Sequence, residues 1–356
     1  MGSIFLEGAL DTVEDFGEGV VVFGGDLNLA VDPSRDKENK LDMDQNYTTV
    51  TEFILIGISE IADLQVLTFI VFLFIYMVTV LGNLCIILAY LFSLNLQTPM
   101  YFLLTNFSFI EICYISVNIP KMLSNLLLEH KTISFYGCAI QVYSFGVCGG
   151  AECYLLAAMA FDRYNAICHP LLYSILMKRV VCIQLVIGSY LVGSTNSLLN
   201  TVLTFTLPFC GSNKINHIFC DLPPILTLAC ADTKINQIVS FATSICVVVG
   251  SFLLIAVSYI YIIITIVNIN SASGRKKAFS TCTSHFTVVA TFFGSVMFMY
   301  LKPGSSNSII QDKLVAVMYA VVTPLLNPFI YGLRNRDVKT ALAKIYHQVT
   351  KNLRKF

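Results

Sequence analysis

From about residue 64 onward the chain alternates between long apolar runs and short polar stretches. The first run, about Leu64 to Phe92, carries no charge, and the second, about Met100 to Leu123, carries one acid, Glu111. The third spans about Gly137 to Cys168, the fourth about Val180 to Phe205, and the fifth lies within the uncharged stretch Ile235 to Gly274. The sixth occupies about Ala278 to Leu301 and the seventh about Leu314 to Leu333. Each approaches or exceeds the roughly 20 residues that an α-helix needs to cross about 30 Å of hydrocarbon. Only helices and closed barrels satisfy their backbone groups in lipid, and these lengths are helical. The pattern therefore predicts an all-α membrane protein, a seven-transmembrane helix bundle.

Composition agrees, with 56% hydrophobic and only 12% charged residues in 356 and a mean hydropathy of +0.74, far from the roughly 25% charged content of a soluble domain. The formal charge of zero hides a split: residues 1–65 hold 14 acids and 3 bases, the remainder 8 acids and 19 bases. Lys178 and Arg179 lie between runs three and four, Arg275 to Lys277 precede run six, and Arg334, Arg336, Lys339 and Lys344 follow run seven. The alternate loops hold fewer bases. By the positive-inside rule the N-terminus is expected outside and the C-terminus in the cytoplasm. Arg336 to His347 then reads as a short cytoplasmic amphipathic helix on the inner leaflet. The expected domains are a disordered or extraneous fused segment 1–42, an outer tail 43–63, the bundle 64–334 and a cytoplasmic tail 335–356. No apolar signal segment opens the chain, so the first span is expected to direct insertion.

Twelve cysteines form no Cys-x-x-Cys or Cys/His ladder, which argues against a metal centre. Most lie in apolar runs as packing residues. Cys138, Cys210, Cys220 and Cys230 differ, because the first begins a span and the others share one polar loop on the oxidising side, where disulfides persist. Four cysteines allow three connectivities. Asn46-Tyr47-Thr48 is a glycosylation sequon placed shortly before the first span. Glu111 and Glu152 are acids inside spans, with Asn83 and Asn327 at similar depth; intramembrane acids are functional candidates by default.

The stretch Met159 to Tyr173, MAFDRYNAICHPLLY, sets Asp162-Arg163 at the end of the third run, 25 residues from Cys138, or about 37 Å of helix. Together with PMYFLL at Pro99 to Leu104, KAFSTCTSHF at Lys277 to Phe286 and PLLNPFIYGLRN at Pro324 to Asn335, it resembles the olfactory branch of rhodopsin-like G-protein-coupled receptors. Phe161 and Asn165 depart from the usual signature. The resemblance covers roughly residues 43 to 345. It implies disulfides Cys138 to Cys220 and Cys210 to Cys230, and a switch set of Asp162, Arg163, Tyr164, Tyr259, His285, Asn327, Pro328 and Tyr331. In that set Arg163 is expected to be held by Asp162 and its neighbours at rest. Proline at 328 removes a backbone donor and weakens span seven locally, which would let Tyr331 swing.

The same resemblance implies a ligand pocket in the outer half of the bundle. Phe145, Gly146, Gly149 and Gly150 supply it from span three, Thr243 and Val247 from span five, and Phe293, Val296, Met297 and Tyr300 from span six. These positions are mostly apolar, with no amine-binding carboxylate at that height, and suit a small apolar odorant. Alternatively, Gly146-x-x-x-Gly150 serves only to pack a neighbouring helix. Glu111 and Glu152 are expected either to hold a sodium ion, the one cofactor implied, or to be a protonated carboxyl with its hydrogen-bonded neighbours. Expected partners are an odorant, a heterotrimeric G protein that raises cyclic AMP, and plasma-membrane lipid, with no nucleic acid and no enzymatic activity. A non-olfactory chemosensory receptor of the same fold is the alternative, with a transporter behind it, since the inverted repeats of a transporter are not visible. Val20 to Asp36 resembles a LINE-type retrotransposon endonuclease, with Asp26 and Asn28 at catalytic positions. The other acids and histidines of a nuclease are absent, so a fused transposon fragment is expected, with Met43 as the natural start.

Overall fold

The computed structural model describes residues 50–57, 62–128, 130–300, 309–333 and 335–353. The segment 1–42 and the sequon at Asn46 lie outside the described residues. Contacts divide the chain into Met1–Tyr47 and Thr48–Phe356, and only the second is treated below.

Among the described residues, seven long helices follow the apolar runs: α1 (Ala62–Phe92), α2 (Pro99–Leu127), α3 (Phe135–Cys168), α4 (Arg179–Phe205), α5 (Lys234–Val267), α6 (Ala272–Tyr300) and α7, residues 309–333. An eighth, α8 (Arg336–Leu353), is amphipathic. Local chemistry sets several boundaries. Proline at the first position of α2 lacks a donor that would be orphaned there in any case. Ser134 caps α3, its hydroxyl accepting from the Gly137 amide at 3.1 Å. Six of the helices are long and apolar enough to cross a membrane, whereas the apolar part of α6 is the shorter Cys282–Val296. Helix α6 starts at Ala272, not near Ala278, so Arg275 to Lys277 belong to its first turns. Charged side chains do not break a helix whose backbone bonds continue; the hydropathy marked where α6 enters lipid rather than where it begins.

The burial pattern is inverted relative to a soluble protein. Exposed positions on α1 and α5 are large and apolar, among them Phe74, Leu91, Leu253 and Ile260, while Asn83, Glu111, Glu152, Asn200 and Asn327 are buried. Such a surface is stable against lipid tails and not against water. The chain is a multi-pass membrane protein. Helix α3 is at the centre, packed on α2, α4, α5 and α6, and α8 folds back with Val338 and Ala341 against Ala89 and Leu96.

A small sheet at the disulfide end departs from the all-helical expectation. Glu52–Leu55 (β1) pairs antiparallel with Thr132–Ser134 (β2) and parallel with Lys214–Ile215 (β3). Phe53 and Leu55, on one face of β1, pack with Ile133, Phe209 and Ile215. The segment expected to be tail is thus a central strand, because a two-residue alternation buries its apolar side chains once two loops supply edges.

Candidate functional site

Beneath this sheet lies a cavity of about 230 Å³. From α3 it is lined by Phe145, Gly146, Gly149, Gly150 and Cys153, a stripe at helical spacing. Helix α4 contributes Asn196, Ser197 and Asn200, α5 contributes Ser240, Ser244, Val247 and Val248, and α6 contributes Phe292 and Val296. Tyr114 of α2, Tyr319 of α7 and the loop residues Cys220 to Pro223 complete it. An aromatic cluster forms one side: the Phe145 ring lies 4.7 Å from Tyr114, 5.2 Å from Phe219 and 6.0 Å from Tyr319.

The loop is tied over the cavity by Cys138–Cys220, with Cα atoms 5.6 Å apart, and is closed on itself by Cys210–Cys230, 5.8 Å apart. Gln141 adds a third tie: its Oε1 accepts from the Cys220 amide at 3.0 Å while its Nε2 donates to Val117 O at 3.0 Å. Contrary to the sequence reading, a carboxylate does line the wall. Asp221 accepts from the Leu222 amide at 2.8 Å and from Tyr319 Oη at 3.3 Å, joining the loop to α7. It stood in a loop rather than a span, where no periodicity placed it.

Other expected pocket residues sit elsewhere. The Thr243 hydroxyl accepts from Asn200 Nδ2 at 3.0 Å, engaged between α4 and α5 rather than lining the wall. Phe293 is buried against Phe252 and Phe292, and Phe292 faces the cavity in its place; a one-residue step rotates a helical side chain by about 100°. The side chains of Met297 and Tyr300 lie outside the described residues. Asn196, Asn200, Ser240 and Ser244 were not singled out, although their spacing of four was visible in the sequence.

The three cavity-lining glycines of α3 play different roles. A Cβ on Gly150 would stand 2.8 Å from the Gly193 Cα of α4, and one on Gly146 would stand 2.5 Å from Ser197 Oγ. These two positions seat α4 as well as lining the cavity. A Cβ on Gly149 meets nothing nearer than Tyr114 Cε2 at 3.8 Å. Gly149→Leu should therefore fill the cavity without disturbing α4. The expected result is at least a tenfold loss of ligand potency with unchanged melting, read from dose-response curves and thermal unfolding in detergent.

At mid-depth Asn327 Nδ2 donates to Glu111 Oε1, joining α7 to α2. Glu111 Oε2, Glu152 Oε1, Asn327 Oδ1 and Ser108 Oγ are buried without hydrogen-bond partners among the described residues. Asn83 Nδ2 donates instead to Thr79 O of its own helix at 3.1 Å. Gly82 beside it makes room for span seven, since a Cβ there would meet Pro328 Cβ at 2.8 Å. Helix α7 loosens into wide turns at Met318–Val322 and, after Pro328, at Phe329–Leu333.

At the far end, Asp162 is buried and accepts from Tyr173 Oη at 2.8 Å; its Oδ2 is unpartnered among the described residues. Burial beside that carboxylate pushes the Tyr173 phenol above its usual range. Among the described residues no hydrogen bond joins Asp162 to Arg163, whose Nε is buried without a hydrogen-bond partner. Tyr173 ends the very stretch quoted above, yet its role depended on a one-turn helix, Tyr173–Leu176, that folds it back. Tyr164 contacts His169 at 3.0 Å. Asn165 is satisfied by Phe161 O at 2.9 Å and lies on Met177. His285 bridges three helices, with Nε2 3.1 Å from Leu156 O and Nδ1 2.7 Å from Tyr259 Oη. A carbonyl only accepts, so Nε2 carries the hydrogen and, in a neutral ring, Nδ1 accepts from Tyr259. Tyr331 is buried edge-on to Phe107 with its hydroxyl unpartnered among the described residues.

Comparison with known proteins agrees with this arrangement. The family model described as olfactory receptor matches residues 72–349. Olfactory receptor 5AP2 of Mus musculus is 52% identical over 303 residues, 85% of this chain and 96% of the relative. Olfactory receptor 5AP2 of Homo sapiens is 50% identical over 301 residues (85% and 95%). Olfactory receptor 6N1 of Homo sapiens is 49% identical over 299 (84% and 96%).

Proposed function

We propose a sensory function from a plain premise: this chain belongs to the olfactory receptor family, whose members are signalling receptors rather than enzymes. Its ligand is a small, mostly apolar molecule held in the cavity beneath the loop, and its partner is a heterotrimeric G protein of the class that raises cyclic AMP. The observation that carries this reading is the cavity itself. At about 230 Å³ it falls below the roughly 300–1,000 Å³ of drug-sized sites, and its wall joins an aromatic cluster to a few hydroxyls and amides.

The receptor lies in the plasma membrane with its disulfide end outside and the Arg163 end in the cytosol. The excess of bases at the Arg163 end supports this orientation. The ligand acts by binding more tightly to the state in which α6 has moved than to the resting one. Tyr259 and His285 tie α6 to α5 and α3 across that end, so a shift of α6 must break or carry these bonds and uncover Arg163. Screening a panel of volatile compounds on cells expressing the chain should give a ligand-dependent rise in cyclic AMP, which Gly149→Leu reduces. Ligand-driven flux of the compound without cyclic AMP would refute the reading.

The unpartnered oxygens of Glu111, Glu152, Asn327 and Ser108 suit a hard cation, which takes oxygen ligands. Sodium is the ion proposed there, contributing charge compensation for the two buried carboxyls. A ligand bound by the folded state alone raises stability. Melting in sodium chloride is therefore expected above that in choline chloride, with the difference lost in Glu152→Gln. Equal melting in both salts would leave the protonated-carboxyl reading in place.

A further inference from the structure

A second and larger cavity, about 470 Å³, opens at the Arg163 end, outside the bundle axis. It lies where the start of α2 (Pro99 and Phe102) meets Tyr90 of α1, the one-turn helix with Tyr173, and the opening of α4, with Lys178 and Arg179 at its edge. No ligand or signalling role described above uses it. We propose that this groove is a binding site for a membrane phospholipid with an anionic headgroup.

Three features support that occupant. Lys178 and Arg179 are adjacent and exposed, and their side chains make no hydrogen bond among the described residues, so two cations are available to one phosphate. The amides at the start of α4 receive no side-chain cap from Lys178 and add partial positive charge on the same side. Beside the basic pair, the exposed surface turns apolar at once: Val180, Ile183, Ile187 and Leu191 are exposed along α4 at helical spacing. A headgroup at Lys178 and Arg179 would therefore lay an acyl chain along that track. A free phosphate would use the bases and leave the track bare, so the combination favours a lipid. The groove also has a floor with consequences, because Tyr173 and Met177 line it and touch Asp162 and Asn165. An occupant braces the short helix that holds Asp162. The binding claim itself is independent of the odorant reading.

The test uses the full chain in nanodiscs of phosphatidylcholine mixed with phosphatidylserine, with retained lipid counted by native mass spectrometry. Wild type should retain phosphatidylserine over phosphatidylcholine, and raising the salt should reduce that preference, as charge screening requires. Lys178→Gln with Arg179→Gln should lower the preference at least fivefold at unchanged melting. Lys339→Gln with Lys344→Gln on α8 should leave it intact. No preference in the wild type, or equal loss in both double variants, overturns the proposal. So does full displacement of phosphatidylserine by inorganic phosphate, which would make the groove a free-anion site.

Discussion

Gly150→Val should destabilise the bundle by about 3 kcal/mol, at the upper end of what overpacking usually does, and sharply lower the amount of folded receptor. At this crossing α3 and α4 meet backbone to backbone. An added Cβ on Gly150 would stand 2.8 Å from Gly193 Cα, and one on Gly193 would stand 2.5 Å from Val147 O and 2.9 Å from Ala151 N. Neither neighbour is a side chain that can rotate away, so the helices themselves must part. Helix association in lipid rests on such close packing rather than on a hydrophobic drive, and Ser197 Oγ donates to Tyr143 O at 2.7 Å only because the helices are this near. Gly188 on α4 provides the control, since a Cβ there meets nothing within 4 Å. Gly188→Ala should be neutral or stabilising by about 0.5–1 kcal/mol, the usual gain in a helix interior. Thermal unfolding of both variants in one detergent decides the matter; equal melting would mean that the crossing can relax.

Cys220→Ser should have the second-largest effect, acting on stability and ligand together. The Cys138–Cys220 bond closes 82 residues, for which the chain-entropy account gives about 4.5 kcal/mol. That figure overstates the case here, because α3 and α4 lie inside the loop and stay helical in lipid even when separated. A loss of about 2–3 kcal/mol is expected. The ligand effect is more specific. Cys220 and Asp221 both line the cavity, so freeing Cys220 releases the loop above the ligand and should lower potency at least tenfold. Cys210→Ser breaks a bond whose cysteines do not line the cavity, and should reduce melting with a smaller change in potency. If both variants shift potency equally, the loop acts as one unit and the position of Cys220 carries no special role.

Much of the fold was legible because lipid imposes a simple rule. A run such as Leu64–Phe92, 29 residues with hydropathy 2.6, has no other way to satisfy its backbone, and no folded context changes that. The start of α6 was less legible, since hydropathy reports the solvent and not the helix. Residues Glu52–Leu55 read as tail because a strand has no partner until the chain brings two distant loops beside it. Within the cavity, Phe145 and Gly149 were accessible to positional reasoning, whereas the choice of Phe292 over Phe293 needed the rotation of α6 to be known.

The sequence by itself determined that this is a membrane bundle, how many times it crosses, which family it belongs to and which residue types populate its two ends. Those properties follow from composition and local spacing, which act on each segment separately. Only the tertiary structure decided that Asp221 faces the cavity, that Asp162 accepts from Tyr173, and that Gly146 and Gly150 seat α4 while Gly149 does not. Each depends on which atoms of a second, distant segment arrive within a few ångströms, and no one-dimensional pattern carries that distance.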